Sequence, residues 1–545
     1  MNVGDTFHGG AEALFTNGNA IVEATNALSI DIGVPGNWDY AYGPIVTNAR
    51  FGQLENAQVQ RPNYPMLAAN ATYRIPPAMA TNPLASTLVQ SVFNFTAGEP
   101  FLPAIKMIQR SGVNIGFIGL TSDIVEFMHP TMAFNIDFIS GLDNYQQLIE
   151  EQASLLRSQG ANLVVVMSEL GLQKDWALAN NIAKDTVDII FSAHTHEVTP
   201  EPLVSKNGTL VVESGNDSYL GQMDITFEGN KVVNKAWQLH TLDDTVIDDV
   251  EMFALVEKIR APFLVENPNI TAPTVTLSND FVNSQMPTTV APTLTASLNK
   301  VFSTSQLPLT RRNSLENNFN NWFTDRLKSD HHTDIAITSG FRFDAVIIPS
   351  KEQFQGDSSD YIWQSETPEI LNGDISVKDA YRFFPAPFYI AQGQVSVARL
   401  KEIIESNLES VYSPSAFEQK GGWVDGFSGL TLALDLNANA GERIQSLMLT
   451  ENDSIPNDNT IISVTGCARP FDLNAATTLC AYDGFENVTN LINPQTNQAY
   501  IAVDYFIDTL TKQAIASPID KLRQSISDDA NLEQWPIAPY YQKLE

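Results

Sequence analysis

The stretch from Ala161 to Met167 constrains the fold of this chain most strongly. It contains Leu163-Val164-Val165-Val166, a run without alternation between apolar and polar residues. A strand of this kind is buried on both faces, as in parallel sheets that helices cover on both sides. The apolar run from Val113 to Leu120 predicts a second buried strand, and helical spacing from Asn144 to Gln159 separates the two. The first part of the chain is therefore predicted to alternate strands with helices.

Polar side chains follow the predicted strands at the points where each strand ends. Asn37 follows a predicted strand at Ser29–Val34, Glu169 follows the strand ending at Met167, and His194 follows a strand at Val187–Phe191. Side chains at the carboxyl ends of such strands converge on one rim, which is where α/β folds build their sites.

Two further motifs supply the residue types of a two-metal hydrolase. Gly4-Asp5 places a carboxylate on a turn, and Ala193-His194-Thr195-His196 places two imidazoles two residues apart. In extended backbone those imidazoles lie on the same side. A bridging carboxylate, an amide oxygen and imidazoles can hold two cations that activate a water molecule. Taken singly, Asp5 also suits a helix N-cap and Asn37 a turn; together with the histidines they favour a metal site.

The second part of the chain follows a segment of different composition. Residues 267–291 are rich in Pro, Thr, Ser and Asn, which is typical of an interdomain segment. We therefore predict one domain at residues 1–260, a linker at 261–292 and a second domain at 293–545.

Aromatic residues and an arginine in the second domain predict a binding wall for an anionic substrate. A predicted strand ends just before Phe341-Arg342-Phe343, where the guanidinium can bind an anion bidentately and the rings can stack on a planar group. Trp423, in a glycine-rich loop, adds another ring. A cluster of arginine and aromatic residues at the surface remains the alternative.

Composition and charge limit the partners and leave the compartment open. The 545 residues carry a formal net charge of −32 with only 31 Lys and Arg, which argues against nucleic acid and anionic membranes as partners. We expect no membrane insertion, since the longest apolar runs have strand length. Met1-Asn2-Val3 shows no signal-peptide features, so a cytoplasmic protein or a lost natural N-terminus is expected. Cys467 and Cys480 suit either one disulfide or two buried thiols.

These motifs resemble those of the metallophosphoesterase–5′-nucleotidase superfamily. Asp5 is similar to the bridging aspartate of its Gly-Asp motif, Asn37 to the asparagine of its Gly-Asn-His-Asp/Glu motif, and His194 and His196 to its Gly-His-Thr-His motif. The resemblance implies a four-layered α/β/β/α metallophosphoesterase domain, followed by an α+β 5′-nucleotidase C-terminal domain. It also implies two divalent metal ions, Mn²⁺ first, with Zn²⁺ or Mg²⁺ as alternatives.

The chain departs from the superfamily pattern in four places. The opening Asp-x-His motif is absent, Trp38 replaces a histidine, Ala41 replaces the aspartate paired with that histidine, and Glu169 replaces a metal-binding histidine. The tryptophan, the missing aspartate and Gly340-Phe341-Arg342-Phe343 resemble the sulfur-oxidation thiosulfohydrolases (SoxB), which would act on a sulfur-carrier protein.

The motifs and the resemblance together predict a metal-dependent hydrolase. A metal-bound hydroxide would attack a phosphoric ester, such as a nucleotide, or a sulfur ester. The expected catalytic residues are Asp5, Asn37 and Arg342, with Phe341, Arg342, Phe343 and Trp423 binding substrate. The expected metal ligands are Asp5, Asn37, Glu169, His194 and His196. The alternatives are a SoxB-like thiosulfohydrolase acting on a carrier-protein cysteine and a truncated, catalytically impaired relative. The resemblance implies a periplasmic or secreted location.

Overall fold

The chain divides into two compact units. The first contains residues 1–261 and 272–287, and the second contains residues 262–271 and 288–545. The chain thus passes between the units within the segment predicted as a linker. The computed structural model describes residues 1–129, 131–215, 219–242, 245–286, 290–305, 309–311, 315–339, 346–347, 373–451, 453–469, 475–513, 515 and 523–526. No helix in these ranges is both long and apolar enough to cross a membrane.

The first unit mixes short and long helices with strands. Its helices are α1 (Gly10–Leu14), α2 (Asn19–Ala27), α3 (Pro44–Arg50), α4 (Pro77–Ala80), α5 (Pro83–Phe93), α6 (Val125–Met128), α7 (Leu142–Ser158), α8 (Leu172–Asn181), the start of α9 (Val250–Leu264) and α10 (Asp280–Asn283). Its strands are β1 (Asn2–Val3), β2 (Gly33–Val34), β3 (Ala71–Tyr73), β4 (Ile105–Arg110), β5 (Val113–Leu120), β6 (Ile136–Phe138), β7 (Leu163–Ser168), β8 (Ile189–Ser192), β9 (Leu203–Val204), β10 (Leu210–Glu213), β11 (Tyr219–Glu228) and β12 (Lys231–Thr241).

A six-stranded sheet forms the centre of this unit. Its strand order is β4-β5-β7-β8-β10-β9. The four inner strands run parallel, and β4 and β9 pair antiparallel at the edges. Every residue of β7 is buried, so the sequence prediction for this strand is confirmed. The helices α7 and α8 pack on this sheet, since α7 contacts β5 and β7 and α8 contacts β8 and β10.

Two smaller pairs of strands face the central sheet. β1 pairs parallel with β2, and β11 pairs antiparallel with β12. A buried cluster joins these pairs to the central sheet; its fully buried members include Ile32, Val34, Leu67, Leu163 and Met167, and Ile225, Phe227 and Val232 of the hairpin pack against it. Apolar burial at roughly 25 cal/mol per Å² stabilises this face-to-face packing. The predicted layered α/β class is confirmed.

Two helices differ from what the apolar spacing of the sequence predicts. The spacing from Ala11 to Leu28 predicts one helix, but Gly18 adopts φ 80° and separates α1 from α2. A backbone in the left-handed region cannot continue a right-handed helix. The spacing from Val395 to Leu408 also predicts a helix. This helix begins at Val397 instead, because Ser396 is its N-cap and accepts a hydrogen bond from the N–H of Arg399 at 3.2 Å.

The second unit is α+β. Its helices, besides the end of α9, are α11 (Asn318–His331), α12 (Val377–Phe383), α13 (Val397–Tyr412) and α14 (Ala502–Lys512). Its strands are β13 (Ile270–Thr271), β14 (Thr293–Leu294), β15 (Val301–Thr304), β16 (Leu309–Thr310), β17 (Ile335–Thr338), β18 (Val346–Ile347), β19 (Asp374–Ser376), β20 (Tyr389–Ser396), β21 (Gly426–Ser428), β22 (Leu430–Leu434), β23 (Ile444–Leu449), β24 (Ile461–Ala468), β25 (Thr478–Leu479), β26 (Tyr482–Asp483), β27 (Glu486–Asn490) and β28 (Gln524–Ile526).

A five-stranded sheet and an aromatic cluster hold the second unit together. The sheet has the order β21-β17-β24-β20-β27, with only its β17–β24 pair parallel. The rings of Phe319 and Phe383 stack with centroids 4.1 Å apart. Cys467 of β24 and Cys480 form a disulfide, which settles the alternative left open by the sequence.

Candidate metal centre

Four predicted ligands lie at the ends of parallel strands. Asp5 follows β1, Asn37 follows β2, Glu169 follows β7 and His194 follows β8. β1 is parallel to β2, and β7 is parallel to β8, so the side chains that leave each pair emerge at the same end. The structure thus brings together residues that lie as many as 189 positions apart in the chain.

Donor atoms from these residues converge closely. Ligand atoms of Asp5, Glu169 and His194 all lie within 4.8 Å of one another. Nδ1 of His194 lies 2.9 Å from Oδ1 of Asn37 and 3.5 Å from Oε2 of Glu169. The side chains of Asn37, Glu169 and His194 are buried, and Asp5 is half-buried.

This donor set fits a divalent cation. Neighbouring ligands of an octahedral cation with bonds of about 2.1 Å lie roughly 3 Å apart, close to the observed spacings. Two carboxylates, an amide oxygen and an imidazole suit Mn²⁺ or Mg²⁺, and Zn²⁺ also accepts this combination. Two negative charges at such a buried place would repel each other without a cation between them.

Two glycines allow the loops to approach each other this closely. A Cβ atom on Gly4, which has φ 78°, would lie 2.2 Å from Cγ of Glu169. A Cβ atom on Gly36 would lie 2.1 Å from the backbone nitrogen of Asp5. Any side chain at either position would force the β1, β2 and β7 loops apart.

Asp39 fastens the two loops that carry Asp5 and Asn37. Its side chain is fully buried and accepts hydrogen bonds from the backbone N–H groups of Phe7 at 2.8 Å and Gly36 at 2.9 Å. Burial raises the pKa of Asp39, while these hydrogen bonds and the nearby Arg50 act in the opposite direction. No local sequence pattern predicts this role, although Asp39 lies two residues after a predicted ligand.

His8, three residues after Asp5, lies in an aromatic cluster. Its ring stacks on Trp38 with centroids 5.2 Å apart and also contacts Tyr42 at 5.1 Å. Burial lowers the pKa of His8 to about 4, so the imidazole is neutral near pH 7. An uncharged imidazole therefore packs against the residue that follows Asn37.

Two buried pairs of polar side chains lie near the ends of β5 and β8. Nζ of Lys174 lies 2.6 Å from Oδ1 of Asp123, and both side chains are almost completely buried. The hydroxyl of Ser192, at the end of β8, donates to Oδ2 of Asp175 at 2.6 Å. Burial raises the pKa of Asp175 to about 7. These residues were not among the predicted site residues, although Asp123 lies three positions after the end of β5.

The remaining predicted site residues are placed differently. His196 is half-buried with φ 58° and lies outside the group formed by Asp5, Glu169 and His194. Trp423 is only 7% exposed, and its indole N–H donates to the carbonyl of Arg311. These contacts show Trp423 packed in the interior, and its role in substrate binding stays a prediction. Phe341, Arg342 and Phe343 lie outside the described residues.

Known proteins resemble both parts of the chain. Residues 295–461 match the family described as 5′-nucleotidase, C-terminal domain. In fold, the chain is similar to SoxB, the sulfate thiohydrolase of Thermus thermophilus, with a TM-score of 0.69 and 17% identity over 96% of this chain and 78% of that one. It is also similar to a 5′-nucleotidase precursor from Thermus thermophilus, with a TM-score of 0.67 and 17% identity over 97% and 89% of the two chains. The predicted two-part architecture and the resemblance to 5′-nucleotidases are confirmed, whereas the similarity to SoxB is one of fold.

Curated relatives match only part of the chain. The endonuclease YhcR of Bacillus subtilis is 23% identical over 44% of this chain and 18% of its own length. An apyrase of Anopheles gambiae is 22% identical over 48% of this chain and 45% of its own length. A probable 5′-nucleotidase of Treponema pallidum is 24% identical over 24% of each chain. The matches thus span less than half the length of each relative, and all three relatives are named for hydrolytic activities.

Proposed function

We propose that this protein is a metal-dependent hydrolase that acts on a small phosphoric ester of the nucleotide type. The observation that carries the proposal is the convergence of Asp5, Glu169 and His194 within 4.8 Å at the ends of parallel strands. Divalent cations held there would activate water and neutralise negative charge on the ester. We propose two of them, with Mn²⁺ first and Zn²⁺ or Mg²⁺ as alternatives.

The residues of the chain have separate roles in this proposal. Asp5, Asn37, Glu169 and His194 hold the cations, with His196 proposed as an additional ligand. Oδ1 of Asp5 is oriented by the backbone N–H of Trp38 at 2.7 Å. Arg342 is proposed to bind the substrate anion, because a guanidinium can pair bidentately with two oxygens of a phosphate.

Phosphate release from AMP tests the proposal. The purified protein with added Mn²⁺ should release phosphate, and removal of the cations by EDTA should stop the reaction. The variant His194→Ala should lose about 100-fold or more of the rate, because cations contribute several kcal/mol to the transition state. His240→Ala is the matched control, since His240 lies exposed on β12 and contacts Gln222. Failure of the wild type to hydrolyse any nucleotide would overturn the proposal.

One observation favours a second candidate, a SoxB-like thiosulfohydrolase. The residue after Asn37 is Trp38, which cannot donate a proton from its ring to an alkoxide leaving group in the way that an acidic imidazolium can. A sulfur leaving group has a much lower pKa than an alcohol and needs less protonation. Sulfate released from an S-sulfonated cysteine of a carrier protein, without phosphate release from AMP, would establish this candidate.

The same measurements identify an impaired relative. A folded protein that binds no Mn²⁺ and releases neither phosphate nor sulfate would be a catalytically impaired relative.

For an active enzyme we propose a small anionic ester or a sulfur-carrier protein as the partner, rather than nucleic acid, because the net charge is −32. The Cys467–Cys480 disulfide supports a periplasmic or secreted location, since disulfides persist in oxidising compartments.

A further inference from the structure

The loop that carries His194 and His196 has an unusual backbone. His194 adopts φ 81° and His196 adopts φ 58°, with Thr195 between them. Residues other than glycine in this region cost on the order of 1–3 kcal/mol each, and they persist only where surrounding contacts fix them. The contacts that fix this loop should therefore be found close by.

Glu213 supplies those contacts through its side chain. It ends β10 and is 2% exposed. Its Oε2 accepts a hydrogen bond from the hydroxyl of Thr195 at 2.8 Å, and its Oε1 accepts one from the backbone N–H of Glu197 at 3.2 Å. One carboxylate thus holds the residue between the two histidines and the residue that follows the second.

The backbone of Glu213 secures the same loop further along. Its carbonyl accepts hydrogen bonds from both the N–H and the hydroxyl of Thr199 at 2.9 Å. Its own N–H donates to the hydroxyl oxygen of Thr199 at 2.8 Å. The loop is therefore tied to the end of β10 at three successive places.

Thr195 connects this arrangement to the segment that carries Glu169. Its hydroxyl oxygen accepts a hydrogen bond from the N–H of Leu172 at 3.0 Å while its proton goes to Glu213. Leu172 is the first residue of α8 and lies three positions after Glu169. The link from Glu213 through Thr195 to Leu172 therefore fixes His194 relative to Glu169.

We propose that Glu213 is a positioning residue for the cation site and acts through Thr195 on His194. The proposal rests on the proposed function, because it assigns Glu213 to the same metal centre. Partners that orient a ligand without touching the cation typically change metal affinity by about 10- to 100-fold when they are removed. Glu213 is expected to have an effect of this size.

A glutamine would replace this carboxylate only in part, because it offers one carbonyl oxygen. If its NH₂ group faced Glu197, it would meet the backbone N–H, and if it faced Thr195, the hydroxyl proton of Thr195 would lose its acceptor. Glu213→Gln preserves the size of the side chain and still breaks part of the link. Thr195→Val removes the hydroxyl at constant volume, and Thr195→Ser retains it.

The test compares these variants by Mn²⁺ affinity, measured by calorimetry, and by hydrogen exchange of residues 193–199 in the cation-free protein. Glu213→Gln and Thr195→Val should each weaken Mn²⁺ binding by about tenfold or more and speed exchange in this segment. The Mn²⁺ affinity of Thr195→Ser should stay within about threefold of that of the wild type, because the serine hydroxyl retains the hydrogen bonds of the link. Glu201→Gln is the matched control, since Glu201 is exposed on the same connection.

The outcomes separate this inference from the proposed function. If Glu213→Gln and Thr195→Val fold, bind Mn²⁺ as the wild type does and keep its exchange rates, the positioning role is overturned. A wild type that binds no Mn²⁺ overturns the proposed function and the link to cations. In that case, faster hydrogen exchange of residues 193–199 in Glu213→Gln would still establish that Glu213 fixes the loop. Unchanged exchange would refute this role of Glu213 as well.

Discussion

The backbone N–H of Trp38 donates a hydrogen bond to Oδ1 of Asp5 at 2.7 Å. This contact joins the loop after β1 to the loop after β2 at the place where both supply candidate ligands. It uses the main chain of Trp38, so it does not depend on the identity of the side chain at position 38. A different side chain at position 38 would therefore leave this hydrogen bond to Asp5 in place.

Asp5→Asn should weaken cation binding strongly and leave the fold in place. Asparagine keeps the oxygen that accepts from Trp38, but it removes one of the two negative charges in the cluster. We expect Mn²⁺ affinity to fall by roughly 100-fold, measured by calorimetry. Asp224→Asn is the control, because Asp224 lies exposed on β11. Equal affinity in Asp5→Asn and the wild type would remove Asp5 from the metal centre.

Glu169→His should change which cation the site prefers. A carboxylate favours hard cations such as Mn²⁺ and Mg²⁺, whereas an imidazole favours Zn²⁺. The ratio of Zn²⁺ to Mn²⁺ affinity should rise by about tenfold or more in the variant. A competition experiment between the two cations, monitored through the electron paramagnetic resonance signal of free Mn²⁺, measures this ratio directly. An unchanged ratio would mean that Glu169 is not a ligand; Glu151→His, on the exposed face of α7, controls for an added surface histidine.

The sequence predicts the candidate ligands that follow strands, because a single rule identifies them. A polar residue at the carboxyl end of a buried strand lies at the rim of the sheet, and this rule selected Asn37, Glu169 and His194. Applied to β10 it would also have selected Glu213, which ends that strand.

The supporting contacts could not be predicted, since they depend on pairs far apart in the chain. Asp39 accepts from Phe7 across 32 residues, and no local pattern marks the pairing. The break at Gly18 cannot be predicted for a different reason: the apolar spacing continues through it and carries no information on the sign of φ.

Stability of the cation-free protein should fall as the pH rises from about 4 to 7, partly because of Asp175. Burial raises the pKa of Asp175 to about 7 in the folded state, against an ordinary value of 3.8. The folded state therefore binds more protons than the unfolded chain between these values, so that stability decreases with rising pH. The full shift corresponds to a loss on the order of 4 kcal/mol.

Asp175→Asn tests this dependence. Asparagine can still accept from the hydroxyl of Ser192, so the hydrogen bond is retained without a group that titrates. Urea unfolding in EDTA at pH 5 and pH 8 should show a smaller difference in the free energy of unfolding for the variant than for the wild type. Asp143→Asn, at an exposed position of α7, should behave as the wild type does. The same pH dependence in all three proteins would rule out Asp175 as its source.

Removal of the disulfide should destabilise the second unit and leave the metal centre unchanged. Cys467 and Cys480 are separated by 13 residues, and closing a loop of this length contributes about 3 kcal/mol by restricting the unfolded chain. The double variant Cys467→Ser/Cys480→Ser should therefore unfold at lower urea concentration. Its Mn²⁺ affinity should equal that of the wild type, because Asp5, Glu169 and His194 all belong to the first unit. Reduction of the disulfide in the wild type should lower the free energy of unfolding by the same amount as the double substitution does. A reduced wild type as stable as the oxidised one would contradict the prediction.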